Sequence, residues 1–132
     1  MTEPNKQIKI LLIDDDRFLL DMYSLKFKKS GFDIDTSGSS SNALEKLRNA
    51  EKYDVILLDI IMPKMSGIEV IEKLREDTWG KNVSIFFMTN VNSNDAIMEK
   101  IIKYTPSYYF LKGGEMRPHE IINKIREKFK QS

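Results

Sequence analysis

Apolar residues in this chain of 132 residues form short continuous runs, which alternate with longer stretches where they recur every three or four positions. The short runs predict strands, and the periodic stretches predict amphipathic helices. The predicted strands are 8–14, 32–36, 54–59, 83–88 and 108–111. The predicted helices are 17–30, 41–51, 67–78, 94–103 and 118–130. Such regular alternation predicts an α/β fold, a doubly wound five-stranded parallel sheet flanked by five helices.

Residues with known positional preferences mark several of the predicted helix ends. Asp16 suits the start of the first helix, and Pro118 suits the first position of the fifth. Ser66-Gly67-Ile68-Glu69 reads as a capping box that opens the third helix. Gly31 and Gly80 are typical of residues that end a helix.

Length, charge and composition exclude several classes of protein. The chain is long enough for one domain, which we predict to span 1–132 with its core in 8–130. Lys+Arg 21 against Asp+Glu 20 gives a net charge of +1, so no strong positive field favours nucleic acid. No apolar run approaches the ~20 residues of a membrane span. There is no cysteine and no apolar signal segment at the N-terminus, so we predict a cytoplasmic protein without a membrane partner.

Polar side chains stand at the ends of four of the predicted strands. Asp14 and Asp15 follow the first strand, Asp59 ends the third, Thr89 follows the fourth and Lys112 follows the fifth. The carboxyl ends of the strands in an open parallel sheet are where ligands bind. If strands one and three are neighbours, we expect the three aspartates to converge.

This set of groups is suited to a metal ion and a phosphoryl group. Clustered carboxylates repel one another unless a cation compensates, and an all-oxygen cluster suits a hard ion such as Mg²⁺. A hydroxyl and an ammonium group complete a pocket for a tetrahedral dianion. A carboxylate can itself act as the nucleophile in phosphoryl transfer. The sequence therefore predicts Mg²⁺-dependent phosphoryl chemistry at this edge of the sheet.

Over residues 8–130, these residues in this order resemble the response-regulator receiver domain of two-component signalling. The resemblance includes the motif Asp-x-x-Met-Pro-x-x-x-Gly, which begins at Asp59 and ends at Gly67. It implies a flavodoxin-like fold with strand order 2-1-3-4-5. It also implies a phosphoprotein rather than an ordinary enzyme, which takes a phosphoryl group from a sensor histidine kinase or a histidine phosphotransfer protein and signals by a change of conformation.

The resemblance also implies a role for each matching residue. Asp59 resembles the phosphoacceptor. The implied metal ligands are Asp15 directly, Asp14 through water, Asp59, and the carbonyl of Ile61. Thr89 and Lys112 resemble the phosphate-sensing pair, and Tyr109 matches an aromatic switch.

Two positions depart from the family pattern. Asn90 stands where the family usually has Ala or Gly after the Thr, and Gly113 stands where it usually has Pro after the Lys. The first concerns access to Asp59, and the second concerns the loop after the fifth strand.

The first predicted helix carries two apolar stripes. At ~100° per residue, one set shares a face that we predict to join the core: Leu19, Leu20, Tyr23 and Phe27. A second set lies well round the helix and predicts a docking surface for a partner protein: Phe18, Met22 and Leu25. A wide core face or scattered surface residues would give the same pattern.

Three alternative functions are compatible with parts of the pattern. A phosphatase of the haloacid-dehalogenase type would use Asp14 as its nucleophile, but it would leave Asp59 unexplained. A pseudo-receiver would act only as a binding module, although the acidic set here is complete. The chain could also be a receiver cut from a longer regulator. His119, the single histidine, is predicted to be a surface residue rather than a phosphoryl donor.

Overall fold

A five-stranded parallel sheet forms the centre of the computed structural model, with strand order β2-β1-β3-β4-β5. The structure describes residues 7–48, 53–59, 70, 72, 84–89, 108–111 and 118–129. The strands are β1 (Lys9–Ile13), β2 (Asp33–Ser37), β3 (Val55–Asp59), β4 (Ser84–Thr89) and β5 (Tyr108–Leu111). The described helices are α1 (Arg17–Lys29), α2 (Ser40–Arg48) and α3 (Pro118–Lys128).

Both faces of the inner strands β1 and β3 are covered by other parts of the chain, as their continuous apolar runs predict. On one face, residues of β1 and β3 pack with α1 and α3 in a single core that includes Ile10, Leu12, Val55, Leu57 and Phe27. The alternating residues on the other face, Leu11, Ile13, Ile56 and Leu58, have no exposed surface either. Full burial of each such side chain is worth roughly 1.5–3 kcal/mol, which fixes the continuous apolar strands at the centre of the sheet.

The end of α1 shows why the chain turns sharply into β2. Gly31 has a φ of 92°, which favours glycine. The N–H of Gly31 donates to the carbonyl of Lys28, and the N–H of Phe32 donates to the carbonyl of Phe27, both at 3.1 Å. The rings of Phe27 and Phe32 also meet at 5.5 Å between centroids. This is a Schellman motif with its hydrophobic contact, and it confirms the predicted helix end at Gly31.

Helix α3 is attached to this same turn. The Arg126 guanidinium donates to the carbonyl of Ser30 at 2.7 Å and lies over the ring of Phe32, 5.5 Å from its centroid. Ile121, Ile122 and Ile125 bury the inner face of α3. The helix begins at Pro118, as the sequence predicted.

Strand order and parallel pairing confirm the predicted fold, and the described ends of the elements agree with the predicted ones to within three residues. Val70 and Glu72, in the third predicted helix, are helical. The helix predicted at 94–103, the capping box at 66–69 and the stop at Gly80 lie outside the described residues. Within the described ranges, no helix has the length and apolar character needed to cross a membrane.

Candidate functional site: an aspartate cluster at the carboxyl edge of the sheet

Strand β1 delivers Asp14 and Asp15 to the carboxyl edge of the sheet. The strand ends at Ile13, and the N–H of Asp14 donates to the carbonyl of Ser37 at 3.1 Å, which continues the pairing with β2. Asp14 is fully buried, whereas Asp15 is exposed. The two neighbouring carboxylates therefore have very different access to solvent.

A tight turn separates these residues from α1. A carboxylate oxygen of Asp14 accepts from the N–H of Asp16 at 2.9 Å, and a carboxylate oxygen of Asp16 accepts from the N–H of Leu19 at 3.1 Å. Asp16 is thus the N-cap of α1, as predicted. Because the helix starts at Arg17, Asp14 and Asp15 remain in the loop at the sheet edge.

Strand β3 brings Asp59 to the same place. Strands β1 and β3 pair directly, with Ile13 opposite Leu58, so the residues that follow lie side by side. Asp59 is buried, with 2% of its surface exposed. One carboxylate oxygen from each of Asp14, Asp15 and Asp59 lies within 4.8 Å of the others. The predicted convergence of the three aspartates is confirmed.

The cluster has the properties of a site for a hard divalent cation. Two of its carboxylates are buried, and gathering like charges away from water is costly unless a cation offsets them. All of the groups are oxygen donors, and the exposed Asp15 leaves one side open to water or to a phosphate oxygen. Asp14, Asp15 and Asp59 therefore fit a Mg²⁺ ion.

Of the remaining predicted site residues, Thr89 and Tyr109 belong to strands β4 and β5, Lys112 follows β5 and Ile61 follows β3. In the register of the sheet, Asp59 pairs with Met88, so the end of β4 lies beside the end of β3, and Thr89 pairs with Leu111, so the end of β5 lies beside that of β4. Lys112 and Ile61, and the side chains of Thr89 and Tyr109, lie outside the described part of the chain. So do Asn90 and Gly113, the two departures from the family pattern.

Helix α1 presents the predicted second stripe to solvent. Phe18 is 77% exposed, Met22 37% and Leu25 55%, and these are the exposed large apolar residues of the described ranges. Leu20, Tyr23 and Phe27 are buried, and Leu19 packs against the same core, as predicted. The exposure that a docking surface needs is present. His119 is also exposed, as predicted.

A cavity of about 400 Å³ lies beside the aspartate cluster, between the start of α1 and the loop from β2 to α2. Its lining is polar and includes Asp15, Arg17, Asp21, Ser37 and Asn42. Gly38 also lines it, and a methyl group at that position would meet its nearest neighbours at 4.0 Å. No feature of the sequence pointed to this cavity, because two stretches that are far apart in the chain, 15–21 and 36–42, form it.

A different carboxylate, Asp35 on β2, has its charge balanced within the chain. Its two oxygens accept from Lys46 and Tyr53, each at 2.8 Å, and Lys46 also donates to the carbonyl of Thr36 at 2.6 Å. Partial burial acts to raise the pKa of Asp35, but these hydrogen bonds and the Lys46 charge outweigh it and hold the pKa below its ordinary value. Sequence analysis did not find this group, since its members are 11 and 18 residues from Asp35.

Comparison with known proteins identifies the family. A family model described as "Response regulator receiver domain" matches residues 10–126. The transcriptional regulatory protein CpxR homolog of Haemophilus influenzae is 38% identical over 81 residues, covering 61% of this chain and 34% of that protein. The probable transcriptional regulatory protein TcrX of Mycobacterium tuberculosis is 32% identical over 98 residues, covering 74% and 39%. This chain thus matches well under half the length of either relative.

Solved structures share the whole fold. The CheY-like response regulator receiver domain protein from Methanospirillum hungatei superposes with a TM-score of 0.83 at 23% identity, covering 95% of each chain. The receiver domain of the Francisella response regulator 1452 gives a TM-score of 0.79 at 27% identity, covering 94% of this chain and 98% of that one. The order and parallel pairing of the five strands are therefore those of the receiver fold.

Proposed function

This chain belongs to the response regulator receiver family, and on that premise we propose that Asp59 accepts a phosphoryl group from a phosphohistidine with the help of Mg²⁺. The donor is a sensor histidine kinase or a histidine phosphotransfer protein. The observation that supports this assignment is the meeting of Asp14, Asp15 and Asp59 within 4.8 Å at the carboxyl ends of β1 and β3.

In the proposed transfer, a carboxylate oxygen of Asp59 attacks the phosphorus atom. The P–N bond to the donor imidazole breaks, and its electron pair stays on the imidazole nitrogen. Asp15 would hold the metal directly and Asp14 through water, and Asp59 and the Ile61 carbonyl would complete the protein ligands. When bound, Mg²⁺ offsets the charge of the carboxylates and of the transferred group.

The burial of Asp59 suits this role. Asp59 is 2% exposed, so water has little access to its carboxylate. The neighbouring Asp15 is exposed, and the donor is proposed to approach from that side. Thr89 and Lys112 are proposed to bind the phosphoryl oxygens, and Tyr109 to respond to their movement. The signal then passes to a protein partner by a change in the shape of the unit formed by residues 8–130.

The exposed stripe of α1 is proposed to receive the donor. Phe18, Met22 and Leu25 point away from the core on the helix that begins beside Asp15. Phe18→Ala should slow transfer from a cognate kinase and leave labelling by acetyl phosphate nearly unchanged, because a small donor needs no docking. An equal loss with both donors would mean that Phe18 supports the site itself.

We propose a cytoplasmic location and no direct contact of these residues with nucleic acid, in line with the net charge of +1. The names of several relatives describe transcriptional regulators. This chain matches only part of their length, so any output domain would lie beyond the matched residues.

The test is Mg²⁺-dependent labelling by acetyl phosphate. Asp59→Asn should abolish labelling, because the nucleophile is gone. Asp14→Asn should weaken it, because the metal binds less tightly, and raising the Mg²⁺ concentration should restore much of the rate. Normal labelling of Asp59→Asn together with none in Asp14→Asn would favour a phosphatase-like nucleophile at Asp14.

A further inference from the structure

The carboxyl end of β2 holds the segment that carries two of the clustered aspartates. The N–H of Asp14 donates to the carbonyl of Ser37 at 3.1 Å, just beyond the pair that Ser37 forms with Ile13. Asp14 is fully buried, and Asp15 follows it directly in the chain. The place of Asp14 beside Asp59 therefore depends on where the end of β2 lies.

Helix α2 fixes that end of β2. Strand β2 is the first strand in the order β2-β1-β3-β4-β5, so within the described sheet it has a single neighbouring strand. Lys46 donates to the carbonyl of Thr36 at 2.6 Å, and the side-chain oxygen of Asn42 accepts from the hydroxyl of Ser37 at 2.8 Å. Asn42 and Lys46 are four residues apart and lie on the same face of the helix. One face of α2 thus holds two consecutive residues of an edge strand.

Ser37 is the residue that connects α2 with the aspartate cluster. Ser37 is 3% exposed. Its single hydroxyl hydrogen is shared between the side-chain oxygen of Asn42 and the carbonyl of Ser39, which lies at 2.9 Å. Its own carbonyl accepts from the N–H of Asp14. A change in the contact between Ser37 and α2 is therefore passed to Asp14 through one residue.

We infer that Ser37 and Asn42 are positioning residues for the metal site, which hold Asp14 beside Asp59 and thereby set the affinity for Mg²⁺. This inference deepens the proposed function and rests on it, because both aspartates are proposed metal ligands. Substitution of groups that orient metal ligands typically lowers metal affinity by roughly 10–100-fold. Ser37 acts on the main chain of Asp14 rather than on its carboxylate, so we expect a smaller loss, of about three- to tenfold.

Isothermal titration calorimetry of the full chain with Mg²⁺ measures this loss. Ser37→Ala should raise the dissociation constant by about three- to tenfold, because it removes both contacts of the hydroxyl. Asn42→Ala should raise it less, because the hydroxyl can still donate to Ser39. The double variant should match Ser37→Ala alone, since the two side chains act through the same hydrogen bond.

Two further variants separate positioning from a general loss of stability. Ser39→Ala removes the hydroxyl that accepts from the N–H of Asn42 at 3.2 Å, but it leaves both acceptors of the Ser37 hydroxyl in place. It should weaken the start of α2 and leave the Mg²⁺ affinity unchanged. Ser37→Thr keeps the hydroxyl, and its methyl group has room in the cavity that Ser37 lines, so it should retain the wild-type affinity.

Hydrogen exchange in the presence of a chelator gives a second readout that needs no metal. In Ser37→Ala and Asn42→Ala, the amide of Asp14 should exchange faster than in the wild type. The increase should exceed that of the amides of β3, which report on the stability of the whole sheet. Equal increases at Asp14 and in β3 would mean that Ser37 supports the fold without positioning Asp14.

Equal Mg²⁺ affinities in the wild type and in Ser37→Ala would overturn the inference. It would also be overturned by a loss of affinity that Ser39→Ala shares or that Ser37→Thr shows as well. If Ser37→Ala does not fold, an unchanged affinity in Asn42→Ala overturns the inference instead, because Asn42 is exposed and alanine favours a helix.

Failure of this inference and failure of the proposed function give different results. A wild-type chain that binds Mg²⁺ but is not labelled at Asp59 by acetyl phosphate would contradict the proposed function alone. Normal labelling of Asp59, together with unchanged Mg²⁺ affinities in Ser37→Ala and Asn42→Ala, would contradict the inference alone.

Discussion

Asp35 and Asp59 are aspartates on parallel strands of one sheet, and their surroundings are opposite. Asp35 accepts hydrogen bonds from Lys46 and Tyr53, so the chain itself supplies the cation and the donors that its carboxylate needs. Asp59 lies within 4.8 Å of two further carboxylates. A carboxylate whose charge and hydrogen bonds are satisfied by other residues of the chain stabilises the fold. Carboxylates gathered together repel one another unless a cation offsets their charge, and this property suits the cluster to binding a metal ion.

The largest expected difference between the aspartate cluster and Asp35 is that only the cluster takes part in the binding of Mg²⁺ and a phosphoryl group. We expect beryllofluoride, a phosphoryl mimic, to raise the affinity for Mg²⁺ by roughly 5–150-fold, the usual range of coupling between two ligands. The ion offsets both the carboxylates and the bound anion, so each ligand favours the other. Mg²⁺ titrations with and without beryllofluoride measure this directly.

Asp35→Asn is the matched control for that titration, since it removes a carboxylate from the same sheet without touching the cluster. It should show the wild-type coupling. Equal Mg²⁺ affinities with and without beryllofluoride in the wild-type chain would contradict the proposed site.

The second expected difference is that removing the charge of Asp59 and removing that of Asp35 change the stability of the fold in opposite directions. Without Mg²⁺, Asp59→Asn should raise the free energy of unfolding by about 1–2 kcal/mol, because it relieves repulsion between close carboxylates. Asp35→Asn should lower it by up to about 1 kcal/mol, a modest value because Lys46 and Asp35 are partly exposed.

Urea unfolding at pH 7 in the presence of a chelator tests both signs. Saturating Mg²⁺ should reduce or reverse the gain in Asp59→Asn and leave the loss in Asp35→Asn unchanged. If both substitutions destabilise the chelated protein equally, the distinction between the two carboxylates is wrong.

The sequence predicted the aspartate cluster that contains Asp59, but it did not predict the hydrogen-bonded group around Asp35. The apolar runs that end at Ile13 and Leu58 predicted neighbouring buried strands, and the aspartates follow those runs directly. Asp35 gave no such signal, because its partners approach from α2 and from the segment before β3. Their meeting depends on how α2 packs against an edge strand, and local periodicity does not contain that information.

The smallest expected effect is the pH dependence of the Asp35 contribution. The pKa of Asp35 is lowered in the folded protein, so its contribution to stability is fully present above the ordinary value of 3.8. It is lost as the pH falls below 3.8 and through the lowered folded pKa. The difference in unfolding free energy between wild type and Asp35→Asn should therefore shrink below this pH, as urea unfolding at pH 3 and pH 6 would measure. A difference that grows on acidification would contradict the assigned direction.

The central claim is that, of the three clustered aspartates, Asp59 carries the phosphoryl group. The most direct measurement is to treat the wild-type chain with acetyl phosphate and Mg²⁺, trap the aspartyl phosphate chemically, and locate the modified residue by mass spectrometry. We predict modification at Asp59 alone, and none when Mg²⁺ is removed by a chelator. Modification at Asp14 or Asp15, or modification of Asp59 that continues without a divalent cation, would contradict the account.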